Sequence, residues 1–178
     1  MESYSQIGQD KWVLSLFPKG YKGYFMDVGC HLPKYINNTY ALEQSGWTGT
    51  AFDIKHYNRV WRRHRTARFI RDDAVTCDFL SFELPLQVDY LSLDIDVLGT
   101  NYAVLKRLLD FGFEFGSITF EHNLYQGETF NQAERLPQRE LLTTKGYTLV
   151  HADVEAGGNP FEDWWINKKY IDGLDTRR

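Results

Sequence analysis

Five short apolar runs, each stopping at polar residues and most of them separated by stretches of helical spacing, constrain this chain more than any other feature. Residues 24–28 (YFMDV) run into Gly29, and residues 50–54 (TAFDI) carry Asp53 near their end. Residues 67–71 (ARFIR) meet Asp72 and Asp73, and residues 88–93 (VDYLSL) meet Asp94, Ile95 and Asp96. Residues 115–120 (FGSITF) meet Glu121, His122 and Asn123. Runs of this length bounded by turn residues read as buried strands. Between them, residues 38–45 and 56–65 read as helices, and residues 101–111 carry a helical stripe at positions 104, 105, 108 and 109. Strands alternating with helices imply βαβ units and a mostly parallel sheet, and right-handed crossovers leave few topologies.

The ends of the chain complete this α/β arrangement. Residues 5–17 place Trp12, Val13, Leu16 and Phe17 at helical spacing, so a helical segment within residues 1–20 precedes the first strand. Asn37 or Asn38 is the expected N-cap of the helix over 38–45. Residues 131–145 read as a helix stopped by Gly146, and residues 147–151 and 164–167 as a closing antiparallel pair. Residues 123–137 and 152–163 are left as loops. With 178 residues, 43% hydrophobic and 25% charged, the expectation is one domain over 1–178 with a sizeable core.

Charge and cysteine usage narrow the partners. A net charge of −4 argues against general nucleic-acid or membrane binding, and no nucleic-acid reading motif is present. The one basic run (Arg59, Arg62, Arg63, Arg65, Arg68 and Arg71) reads first as a solvated helix face, with a patch for phosphate, sulfate or an acidic glycan as the alternative. Cys30 and Cys77 form no CxxC pair, and Met1-Glu2-Ser3-Tyr4 is not a basic-then-apolar leader, so a reducing cytoplasm is expected.

In parallel sheets, ligands bind beyond the carboxyl ends of the strands, where the strand order reverses. The polar residues named above fall at those ends. In Asp27-Val28-Gly29-Cys30-His31, a glycine lets backbone approach a ligand, while the acid can orient the loop or meet a cationic aminoacyl end. The run is not GxGxxG, which disfavours a dinucleotide. Asp53 lies 24 residues after Gly29, the spacing at which an acid accepts hydrogen bonds from ribose hydroxyls. Asp72 or Asp73, beside Ala74, could meet an adenine amino group.

The stretch from Tyr24 to Lys55 adds Asn38-Thr39-Tyr40, Leu42-Glu43 and Gly46-Trp47-Thr48-Gly49 to Asp27, Gly29 and Asp53. With Ser5-Gln6 and Gly8-Gln9-Asp10 upstream, and Val88 to Asp94 and Thr119 to Asn123 downstream, this pattern resembles the FkbM family of S-adenosylmethionine-dependent methyltransferases. The resemblance covers most of residues 4–151. It implies a Rossmann-like class I methyltransferase fold, S-adenosylmethionine as cofactor and O-methylation of a sugar, glycan or small natural product. The family's Glu-Gly after the fourth strand is replaced here by Ile95-Asp96. On this reading Asp27, Gly29, His31, Asn38, Asp53, Asp73, Ala74 and Asp94 form the cofactor side, with His31 also a candidate for substrate contact.

A hydroxyl needs a base or a metal before it attacks. His122 can serve as general base with Asp94 beside it. Alternatively, Asp94 or Asp96 with Glu121, His122 or Asn123 can hold Mg or Mn. His151, Asp153 and Glu155 would share a face if their strand continues, while Gly157 and Gly158 point to a loop. Asp94-Ile95-Asp96-Val97 is not the Asp/Asn-Pro-Pro-aromatic segment of amine methyltransferases, which disfavours methylation of bases. Two other classes stay open: a nucleotide-sugar or dinucleotide enzyme on a similar sheet, and a non-catalytic binding module that keeps the fold.

Overall fold

The computed structural model describes residues 2–174. After helix α1 (Gln9–Leu16), strands β1 (Tyr24–Val28), β2 (Thr48–Asp53) and β3 (Arg68–Arg71) alternate with α2 (Tyr40–Gln44) and α3 (Asn58–His64). Strand β4 (Gln87–Leu93), helix α4 (Thr100–Asp110) and strand β5 (Glu114–Glu121) follow. Helix α5 (Glu128–Phe130) continues through a π turn over Asn131–Arg135 into α6 (Leu136–Thr144). Strands β6 (Thr148–Ala156) and β7 (Asn159–Ile166) and helix α7 (Lys168–Asp172) close the domain.

One seven-stranded sheet results, in the order β3-β2-β1-β4-β5-β7-β6. Strands β1 to β5 pair in parallel, and β7 pairs antiparallel with both β5 and β6. Alternation along each strand sends successive side chains to opposite faces, which the two cores show directly. Met26, Val28, Leu91, Leu93, Ile118 and Phe120 pack under Val104, Leu105 and Leu108 of α4 and Leu142 of α6. Phe25 and Tyr90 pack on the other face with Val13 and Phe17, Leu42, Trp47 and Tyr170. Each such large side chain contributes about 1.5–3 kcal/mol by leaving water. Among the described residues, no helix is long and apolar enough to cross a membrane. Both cysteines are free thiols buried in the fold.

Several expected boundaries move, each for a local reason. The helix predicted over 5–17 begins only at Gln9, because Asp10 draws residues 3–5 into a turn. Its carboxylate accepts from Ser3 Oγ at 2.7 Å, Tyr4 N at 2.8 Å and Ser5 Oγ at 2.8 Å. Neither Asn37 nor Asn38 caps α2, which follows Thr39. Asn37 instead donates to Asp27, Cys30 O and Leu32 O, and Asn38 donates to Ser92 Oγ at 3.1 Å. The closing pair is longer than expected, since residues 152–163 form most of a hairpin turning at Gly157 (φ 60°) and Gly158 (φ 82°). Register shifts in β6 between Leu149 and Glu155 break its alternation, so His151, Asp153 and Glu155 do not act as one face. His151 packs edge-on against Trp164 at 5.1 Å between ring centroids, while Asp153 adopts φ 53° and turns to Arg135 and Arg139.

Candidate functional site

Strand β1 is flanked by β2 on one side and β4 on the other, so the chain reverses its winding there. A cavity of ≈ 910 Å³ opens at the carboxyl ends of these strands. Its wall includes Asp27, Gly29, His31, Asn38, Asp53, Asp73, Ala74 and Asp94. The same cavity extends past Asp96 and Glu121 to Tyr125, Asn159 and Phe161.

Gly29 is required by geometry. It has φ +83°, and a Cβ built there would lie 1.7 Å from the Asp94 carbonyl oxygen. The loops after β1 and β4 therefore touch, and Asp94 N–H donates to Val28 O at 3.0 Å. Asp53 fixes the neighbouring loop while lining the cavity: its carboxylate accepts from His31 N–H at 2.9 Å and Lys55 N–H at 2.8 Å. Asp73 forms a turn by accepting from Val75 N–H at 2.9 Å, which sets Ala74 against the wall. Asp27 is buried and accepts from Thr39 Oγ1 at 2.7 Å and Asn37 Nδ2 at 3.3 Å. Burial pushes its pKa up to about 6 against the pull of Thr39 and of the Arg65 charge. Cys30, next to Gly29, is held as an inert thiol well above its ordinary value, chiefly by burial.

At the far end, carboxylate oxygens of Asp94, Asp96 and Glu121 lie within 4.8 Å of one another. Glu121 is buried and hydrogen-bonds to Asp94. Burial, then the Asp94 charge, holds Glu121 far above the carboxylate range; burial raises Asp94 as well. Two carboxyls this close disfavour ionising together.

The expectation that His122 stands beside Asp94 is corrected by strand alternation. His122 follows Glu121, so its ring leaves on the opposite side, fully buried and outside the cavity wall. Its Nδ1 accepts from Leu124 N–H at 3.2 Å, which leaves no free lone pair to take a substrate proton. Its Nε2 faces Asp153 at 3.4 Å and Asp163 at 3.5 Å. Those carboxylates already receive Arg135 and Arg139: Arg139 spans Asp163 with two contacts of 2.7 Å, and Arg135 spans Asp153 at 2.6 and 2.7 Å. Although burial opposes it, Arg139 holds Asp163 far below the ordinary carboxylate range. This second acidic group is neutralised by guanidinium. Asn123 is also buried and lies outside the cavity wall, touching Glu121 by a side-chain hydrogen bond. The expected five-residue metal set is therefore divided, with Asp94, Asp96 and Glu121 on one side and His122 on the other.

Comparison with solved structures places this geometry. An rRNA methylase from Streptococcus thermophilus is similar with a TM-score of 0.55 at 12% identity, over 94% of this chain and 98% of that one. An O-methyltransferase from Bacillus cereus, solved with S-adenosylhomocysteine, is similar with a TM-score of 0.59 at 15% identity, over 93% and 83%. A TehB-like S-adenosylmethionine-dependent methyltransferase from Corynebacterium glutamicum gives 0.56 at 15%, over 90% and 87%. The fold is that of the S-adenosylmethionine-dependent methyltransferases. At these identities the likeness is one of fold. No family model and no curated protein matches the chain.

Three further residues matter to the site. Asn101, buried at the start of α4, accepts from Ile95 N–H at 2.8 Å and donates to Ile95 O at 3.2 Å and Glu121 O at 2.9 Å. It ties together the two loops that carry the carboxylates. Glu134, from the π turn, accepts from Tyr102 N–H at 2.7 Å and so caps α4 across space. Arg65 leaves the basic run to lie buried under the first loop, donating to Glu43, Pro33 O, Asn37 and Thr39. Only Arg65 carried a sequence signal, as the last arginine of a helical run; Asn101 and Glu134 act through contacts that spacing does not encode.

Proposed function

We propose that this chain is an S-adenosylmethionine-dependent methyltransferase acting on a hydroxyl of a sugar, glycan or small natural product. The observation that carries the reading is the contact of Gly29 with the Asp94 backbone at the switch point, with Asp53 in the same cavity wall. The resemblance of residues 4–151 to the FkbM family supports the O-methyl assignment and the choice of acceptor.

The residues fit the cofactor by chemistry. Asp53 and Asp73 offer acceptors to ribose hydroxyls and an adenine amine, and Asp27, His31 and Asn38 surround the β1 loop that would meet the aminoacyl end. The acid-rich wall suits a sulfonium cation. When bound, the cofactor supplies an electrophilic methyl group, and the chain supplies approach and alignment. The acceptor hydroxyl must lose its proton as attack proceeds. Asp94, its pKa raised by burial, is the base this site offers in place of His122. The three carboxylates of Asp94, Asp96 and Glu121 also suit a hard cation such as Mg or Mn. Activity that survives exhaustive chelation removes that version.

Isothermal titration with S-adenosylmethionine, S-adenosylhomocysteine and NAD tests the cofactor. The first two should bind at micromolar Kd and NAD should not, with D53A losing at least tenfold. Selective NAD binding would sink the reading. With an acceptor in hand, D94N should lower kcat by about 10²–10⁴, the usual range for a lost general base.

A further inference from the structure

The cofactor cavity leaves residues 54–71 unexplained: they contain no aspartate or glutamate but carry one lysine and six arginines. A solvated helix face ordinarily interleaves both signs. Arg65 is buried and paired with Glu43, while Arg68 and Arg71 each donate to a backbone carbonyl and, among the described residues, form no ion pair. Arg59, Arg62 and Arg63 stand at i, i+3 and i+4 of α3, all exposed. Among the described residues, none of these three forms an ion pair. The helix anchors itself through Trp61, whose ring is buried and whose Nε1–H donates to His31 O at 2.9 Å. Lys55, three residues before α3, lines the cavity, so the basic segment starts in the cavity wall.

We propose that this arginine face holds an anionic glycan, one bearing sulfate, phosphate or carboxylate groups, whose hydroxyl is the methyl acceptor. The inference rests on the methyltransferase reading and narrows its substrate. Arginine forks fit these oxyanions with paired hydrogen bonds. The far end of the cavity carries Asp94, Asp96 and Glu121, which accept from neutral hydroxyls and repel anions. An acidic acceptor must therefore keep its charges outside the cavity, and the segment from Lys55 into α3 offers them cations. Exposed rings of Tyr35 and Tyr125 at the cavity mouth offer flat apolar faces to a sugar ring. A single-stranded nucleic acid fits less well: the strip's tryptophan and tyrosine are not free platforms for bases, since Trp61 is buried and the half-buried Tyr57 packs against His31 at 5.2 Å.

Fluorescence anisotropy with a labelled chondroitin sulfate oligosaccharide, an uncharged dextran oligomer and an oligouridylate of equal charge tests this. The sulfated probe should bind at micromolar Kd, weaken as salt rises, and lose at least tenfold in R59E/R62E/R63E. The control K11E/K145E should bind it as the parent does, and dextran should bind at least tenfold more weakly. S-adenosylmethionine titration should be the same in parent and triple variant, which shows that the variant is folded. Absence of sulfated-probe binding, binding indifferent to the triple variant, or oligouridylate bound tenfold tighter would each overturn the proposal. A chain that binds the sulfated probe through α3 but not S-adenosylmethionine keeps the surface and overturns the methyltransferase reading instead.

Discussion

One methyl group at position 29 would take the site apart. In G29A the new Cβ must share space with the Asp94 carbonyl oxygen and the backbone must hold φ +83°, a region costly for a side chain. Strain of about 3 kcal/mol would lower the Tm by about 6–12 °C in a domain of this size. Calorimetry should show that drop together with lost cofactor binding; an unchanged Tm would mean that the loops do not touch. At this scale much of the cavity wall was legible, because Asp27, Gly29, Asp53 and Asp73 sit where apolar runs stop. Glu121-His122-Asn123 was not, because β5 ends at Glu121, His122 leaves on the opposite side, and Asn123 turns at φ 50°, so three polar neighbours do not serve one pocket. Asn101 was silent for another reason: an asparagine at a helix start looks like a local residue, while its partners lie 6 and 20 residues away.

Among elements, the parallel strands read clearly from their apolar runs, and the order of helices and strands followed. The C-terminal third read less well. Here Arg139 of α6 spans Asp163 of β7 and reaches Asp153, in the bulged stretch of β6, at 2.8 Å. Such ties between sequence-distant groups leave no period in the sequence. R139A would strand a buried carboxylate, at a cost of about 3–5 kcal/mol. Urea unfolding should show a lowered midpoint at unchanged slope, and R139A/D163N should recover part of it. Equal midpoints for R139A and the parent would reduce the network to surface decoration.

Across the whole molecule, burial raises several carboxyls in the native state: Asp27 to about 6, Glu134 to about 7 and Glu162 to about 8. Each binds a proton in the folded chain at pH values where the unfolded chain has released it. Their contribution to stability is therefore fully present below the ordinary carboxyl pKa and falls as pH rises from there to these values, by about 1.4 kcal/mol per pH unit for each group while its window is open. The depressed Asp163 works the other way, below that window. Thermal midpoints should decline between pH 5 and 8.5; a rise over that range would contradict the assignment. The two outermost strands carry a different consequence. An open sheet invites another chain to add a strand at either margin. Here one margin is the four-residue β3, flanked by Arg68 and Arg71, and the other is β6, whose shifted register offers no straight template. Like charge at one margin and misalignment at the other discourage copies from zipping together into aggregates, so the protein should tolerate crowding without recruiting itself.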